Sequence, residues 1–197
     1  VASAAERDQL LQAGQVDGVI TDLVALALYN RIGTDVIAVR YAMVPTPGHP
    51  QFRILASANS NISQPMQLKG VQIGVSEGTV IEYITYRLLE RESINVEQIE
   101  LLPVPKIPDR MALLNAGELK AATLPEPLAS LVMQQGAVVI MDDTQHPDLS
   151  CSIVAFRSEV VTSHQAEIKQ FLLAVSRASQ EINNHKDQWQ SLLVHQE

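Results

Sequence analysis

The chain has 197 residues, 46% of them hydrophobic and 18% charged, enough to bury one sizeable core or two small ones. A net charge of −8 with 14 Lys+Arg excludes a surface built to neutralise nucleic-acid phosphates, and no apolar run approaches the ~20 residues of a membrane-spanning helix. The single cysteine, Cys151, excludes an internal disulfide and, set in an apolar run, reads as a buried structural thiol.

Ser3 with Glu6 forms a capping box that opens a helix running to Ala13, with Gly14 as its stop. The chain opens on a strand-to-helix turn without the strand, so an N-terminal segment is expected to be missing. Residues 16–20 predict a strand, and Thr21-Asp22 opens an apolar helix through Leu23, Val24, Leu26 and Leu28 to Gly33. Residues 35–41 branch and alternate like a strand. Pro45, Pro47, Gly48 and Pro50 make a loop, and residues 52–58 are the next strand. The polar, short-chained residues 57–63 predict a crossing between two lobes.

A helical turn at residues 65–70 leads into VQIGVSEGTVIEYITYRLL, residues 71–89, where the hydrophobic period changes. Val71, Ile73 and Val75 run up to Ser76-Glu77-Gly78-Thr79, after which Val80, Ile81, Ile84 and Leu88 recur at helical spacing. Thr79 with Glu82 reads as a second capping box. The free N–H groups of that helix then face Ser76 to Gly78, the kind of strand-to-helix turn that holds anions and acceptors in open α/β sheets.

Residues 99–104 predict a strand, and Pro103, Pro105 and Pro108 keep the next connection extended. A helix at residues 109–115 closes at Gly117. A strand at 119–124, the turn Pro125-Glu126-Pro127, a helix at 128–135 and a strand at 137–141 follow. A polar connector at 142–150 leads to a strand at 151–157. Thr162 and Gln165 are expected to cap the longest helix, whose stripe is Ile168, Phe171, Leu172, Val175, Ala178 and Ile182, and a last helix carries Trp189, Leu192 and Leu193.

About eight strands alternating with helices predict an α/β fold of two mostly parallel sheets flanked by helices. The crossings at 57–63 and 142–150 divide the chain into a discontinuous first lobe, residues 1–58 plus 151–197, and a second lobe, residues 64–141. Two linkers make a hinge, and small ligands sit in clefts between hinged lobes.

Three stretches, ERDQLLQAGQVDGVITDLVALAL (6–28), LKGVQIGVSEGTVIEYITYRLL (68–89) and AATLPEPLASLVMQQGAVVIMDD (121–143), carry a family resemblance. In this order they resemble the type 2 solute-binding proteins of ABC importers, in the branch serving nitrate, alkanesulfonates, taurine and the thiamine pyrimidine precursor. The resemblance covers essentially the whole chain, and the LPEP turn is its most specific part. It implies a two-lobed type 2 periplasmic-binding-protein fold whose first strand and helix, with a secretion signal before them, are expected to be missing here, and a monomer that passes a small-molecule ligand to ABC permease subunits. It also implies a place at the periplasmic or extracellular face of the membrane, free or as a lipoprotein, with no cofactor and no nucleic acid.

The strand-end turns are expected to converge on the cleft: Ser3 and Asp22 from the first lobe, Ser76, Glu77, Gly78, Thr79 and Glu126 from the second, and Ser57 and Asn59 at the crossing. Ser3 and Thr79 would cap helices with or without a ligand, Asp22 would bind the ligand or simply open its helix, and Glu126 would meet a ligand amine or serve a helix start. One helix N-terminus offers an anion ~0.3–1 kcal/mol, whereas micromolar binding needs about 8 kcal/mol, so both lobes must grip the ligand together. Asp22, Glu77 and Glu126 around one cleft argue for a neutral, zwitterionic or cationic ligand.

No nucleophile–base pair, zinc spacing, P-loop or dinucleotide loop is visible, and His49, His146, His164, His185 and His195 are scattered. Lys106 and Lys120 have no activating setting. Two other readings follow from fold analogy. One is a ligand-converting enzyme of the menaquinone or thiamine-pyrimidine synthesis type, and the other is the effector-binding domain of a transcription regulator.

Overall fold

The computed structural model describes residues 3–189. Residues up to Arg157 form one compact unit and those from Ser158 on form another. In the first unit α1 (Ala4–Gln12) starts where the Ser3 hydroxyl accepts the Glu6 N–H at 3.2 Å. After β1 (Gly18–Asp22), the Asp22 carboxylate accepts the Ala25 N–H at 2.8 Å and opens α2 (Leu23–Arg31). Next come β2 (Val36–Met43), β3 (Phe52–Ala56), a single 3₁₀ turn at Pro65–Leu68, β4 (Gln72–Val75) and α3 (Val80–Arg91). The unit is completed by β5 (Glu100–Pro103), α4 (Ile107–Ala116), β6 (Ala121–Pro125), α5 (Leu128–Gln134), β7 (Val138–Asp142) and β8 (Ser152–Arg157).

The strands form two sheets, β1-β8-β2 and β5-β4-β6-β3-β7. The two-sheet α/β class agrees with the sequence reading, but the expectation of mostly parallel strands does not hold. The smaller sheet is antiparallel throughout, and in the larger one β4 is parallel to β5 and β6 while β3 is antiparallel to both β6 and β7. The reason lies in the two connections between sheets. β2 and β7 both end where the crossings begin, and the crossings run side by side to the starts of β3 and β8. Both β3 and β8 therefore enter at the end where their neighbours finish and must run against them.

This topology also fixes where the chain passes from one sheet to the other. Phe52–Ala56, expected with the first lobe, pairs with β6 and β7 in the larger sheet, so the outward crossing is residues 44–51 and not 57–63. The return crossing spans residues 143–151. A buried cluster ties the two crossings together. The Asp143 carboxylate accepts the N–H groups of Gln51 at 3.0 Å and Phe52 at 3.1 Å and the Ser150 hydroxyl at 2.5 Å. The Gln51 side chain donates to the carbonyls of Met43 and Ser150, both at 3.3 Å, and accepts the Ser152 hydroxyl at 3.0 Å. Burial pushes the Asp143 carboxyl above its ordinary range, against the pull of these bonds.

The period of the central strands explains the layers. Ile54 and Ala121 pack into one core with Ile84, Leu88 and Leu89 of α3, while their neighbours Leu55 and Ala122 pack on the other face with Leu114 of α4 and Ala129 and Val132 of α5. A smaller core joins Leu11 of α1, Ala25 and Tyr29 of α2, Val36 of β2, and Ile153 and Ala155 of β8.

The second unit contains α6 (Ser158–Ser163) and α7 (Gln165–Asn184). Thr162, expected to cap the long helix, instead donates its hydroxyl to the Ser158 carbonyl at 2.9 Å inside α6. The N-cap position of α7 is His164, which makes no side-chain cap. Of the α7 stripe Ile168 is buried, whereas Phe171 and Ile182 are exposed. Leu192 and Leu193 lie outside the described residues.

Candidate functional site

The carboxyl ends of β1, β4, β5 and β6 and the starts of β3 and β8 face one another across an open cleft of about 350 Å³. Register puts them there: β4 runs parallel to β6 with Ile73 opposite Ala121, and Phe52 at the start of β3 lies opposite Pro125 at the end of β6. Four helices begin at this cleft. Ser3 caps α1, Asp22 caps α2, Thr79 caps α3, and Ile107 is the first residue of α4; all four residues line it.

Of the residues singled out from sequence, the structure brings Ser3, Asp22, Ser76 and Thr79 to the cleft wall. Ser57 and Asn59 lie beyond Ala56, at the far end of β3 from Phe52 and the cleft. There the Ser57 N–H donates to the Lys120 carbonyl at 2.9 Å, and Asn59 is exposed. Glu77 and Gly78 are exposed and outside the lining. The Gly78 N–H donates to the Glu82 carboxylate at 2.5 Å, so the expected capping box closes one residue early. Gly78 has φ +70°, a left-handed turn that a β-carbon would strain. Glu126 makes an ion pair with Arg53 at 2.7 Å and accepts the Ser130 N–H at 3.2 Å, which occupies it at the start of α5.

Asp22 is 8% exposed, and burial pushes its carboxyl above the ordinary range; the Ala25 N–H and Arg7 oppose that shift. Arg7 also lines the cleft and is held by Asp8 at 2.8 Å, while Asp8 accepts the Tyr29 hydroxyl at 2.5 Å. On the opposite wall Thr79 accepts the Ile81 N–H at 3.2 Å and donates to the Ser76 carbonyl at 2.6 Å. The Ser76 hydroxyl donates to the Pro105 carbonyl at 3.1 Å and accepts from Arg110 at 3.2 Å. Arg7, Phe52, Pro105 and Arg110 were not singled out from sequence. For Arg110 a signal existed, since it shares the inner stripe of α4 with Ile107, Met111 and Leu114.

The polar wall is complemented by an apolar one made of Ile20, Phe52, Val80, Ile81, Pro105 and Ile107. Cys151 lies elsewhere, in a second pocket with Leu23, Val24 and Tyr83, and burial raises its thiol, with a smaller push from Asp22. Among the described residues no group of three or more His, Cys, Asp or Glu is placed to hold a metal ion.

Comparison with solved structures identifies proteins of similar shape. The alkanesulfonate-binding protein SsuA from Xanthomonas axonopodis pv. citri, bound to MOPS, superposes with a TM-score of 0.82 at 17% identity, over 95% of this chain and 63% of that one. The periplasmic aliphatic sulphonate binding protein SsuA from Escherichia coli gives 0.83 at 20% identity, over 98% and 65%. The desulfurization enzyme DSZB gives 0.63 at 17% identity, over 88% and 64%. The chain thus spans less than two thirds of the length of each, and the likeness is one of fold, the periplasmic-binding-protein fold. No curated protein sequence matches at a significant level. The model of the NMT1-like family matches residues 2–193, and the chain belongs to that family.

Proposed function

We propose that the chain is the solute-binding component of an ABC import system, working on the outer side of the cell membrane. It holds a small polar organic molecule between its two sheets and delivers it to a membrane permease. The observation that carries this reading is the cleft, onto which four helix N-termini converge from both sheets beside an apolar wall. At ~0.3–1 kcal/mol each, four such termini contribute about 1–4 kcal/mol, short of the ~8 kcal/mol of micromolar binding. Burial of an apolar body against Ile20, Phe52, Val80 and Ile107 makes up the remainder, at roughly 25 cal/mol per Å². That division favours a ligand with one polar head and a carbon frame over a bare ion. The two SsuA proteins are named for ligands of that kind.

The two crossings, residues 44–51 and 143–151, act as the hinge about which the sheets close. Among the described residues no helix is long and apolar enough to cross a membrane. A second reading, conversion of the bound molecule, is favoured by the likeness to DSZB, an enzyme on this fold.

Native mass spectrometry of the purified chain, followed by small-angle scattering with the recovered molecule, tests both. Binding predicts one co-purified compound, recovered unchanged, whose addition makes the protein more compact. Absence of compaction with any bound compound contradicts closure, and chemical turnover of the compound favours the enzyme.

A further inference from the structure

We infer that Arg110 is a specificity-determining residue of the cleft: its buried guanidinium, acting through the Ser76 hydroxyl at the start of α3, selects ligands whose polar head is an acidic, oxygen-rich group. The inference rests on the solute-binding reading above and adds the chemistry of the head group.

Arg110 is 0% exposed, and among the described residues it has no carboxylate partner. Its Nη2 donates to the Ser76 Oγ at 3.2 Å, while Nε and Nη1 have no hydrogen-bond partner. The other arginines near the cleft differ: Arg7 is neutralised by Asp8 at 2.8 Å and Arg53 by Glu126 at 2.7 Å. Burial lowers the Arg110 pKa to about 10, which leaves it charged at neutral pH. A buried charge without a partner is among the most unfavourable features a fold can carry. Packing does not require the charge. The stem of Arg110 lies so close to Gly74 that a β-carbon there would stand 3.3 Å from its Cγ and Cδ, and an uncharged Met or Leu would fill the same space.

What the charge does is set by its one contact. Ser76 lines the cleft, and its oxygen accepts from Arg110 while its proton rests on the Pro105 carbonyl. A guanidinium bonded to a hydroxyl oxygen makes that O–H a stronger donor. When an acidic oxygen enters beside Ser76, the hydroxyl swings from Pro105 to the ligand, and the field of Arg110 stands behind it. Asp22 on the facing wall repels a negative head and so directs it to the Ser76 side. Two of the three carboxylates that argued for a neutral, zwitterionic or cationic ligand are elsewhere engaged, since Glu77 is exposed outside the cleft and Glu126 is paired, which leaves Asp22 in the lining.

Methanesulfonate and its uncharged twin dimethyl sulfone are the probes, titrated into the chain, Arg110→Gln and Arg110→Lys while the amide resonances of Ser76 to Thr79 are followed. Methanesulfonate should bind the unaltered chain more tightly than dimethyl sulfone, weaken by about tenfold or more in Arg110→Gln, and recover in part in Arg110→Lys. Dimethyl sulfone should bind all three alike. The inference is overturned if the unaltered chain does not prefer the anion, a comparison that needs no variant to fold, or if Arg110→Gln binds methanesulfonate undiminished. The two readings fail separately. A solute that closes the cleft of Arg110→Gln as well as that of the unaltered chain removes the role of Arg110 and keeps solute binding. Arg110-dependent anion binding, with no solute that compacts the protein, removes the transport reading and keeps the role of Arg110.

Discussion

Asp22 serves a helix and a cleft at once, and the two roles pull its protonation in opposite directions. As the cap of α2 it accepts the Ala25 N–H at 2.8 Å, which favours the carboxylate, yet its burial is the larger effect and raises its pKa above 3.8. A raised pKa means that the folded state holds the proton longer than the unfolded chain does. This contribution to stability is therefore fully present below the unfolded pKa and is lost as pH rises through the folded one. Asp22→Asn keeps the cap and removes the buried charge, so it should raise Tm at pH 7 and abolish this part of the pH dependence, as read by thermal melts from pH 3 to pH 8. A lower Tm at pH 7 with an unchanged pH profile would contradict the assignment. Caps such as Ser3, Asp22 and Thr79 were legible in the sequence because the cap and the N–H it accepts lie two or three residues apart. Ser57 and Asn59 were misplaced because their distance from the cleft depends on the direction in which β3 runs, a fact carried by strands far away in sequence. Arg110 was visible only as an anomaly, a charge on the apolar stripe of α4.

At the scale of elements, hydrophobic period located the strands and helices of the first unit to within a few residues, because each period is a local property, but it missed the short α6. Which strands pair is not local. The Pro-rich residues 44–51 read as an ordinary loop, and nothing in their composition declares that they carry the chain from one sheet to the other. Their partner declares it: Asp143, 92 residues away from Gln51, fastens the N–H groups of Gln51 and Phe52 against the return crossing. Asp143→Ala would leave those buried donors without acceptors, at roughly 1–3 kcal/mol for each unsatisfied group. We expect Asp143→Ala to lower stability by about 2–6 kcal/mol in a denaturant titration. Unaltered stability would mean that the crossings are held by other contacts.

For the molecule as a whole, the sheets impose a division of labour between their two ends. Cores cover both faces of β5-β4-β6-β3-β7, and both crossings run and four helices begin at the end where β4, β5 and β6 finish. A rigid frame that gathers polar groups at one end and joins its two parts there by two strands of chain is suited to closing on a solute. The family resemblance was legible from the order of three stretches, whereas the contact of Arg110 with Ser76 was not, because it joins residues 34 apart on different elements. The most direct measurement is an amide chemical-shift map of the chain with its co-purified solute. The account predicts that Thr21 and Asp22 on one wall and Ser76 and Thr79 on the other shift together at the same solute concentration. Shifts confined to one wall, or centred on the second pocket around Cys151, would contradict it.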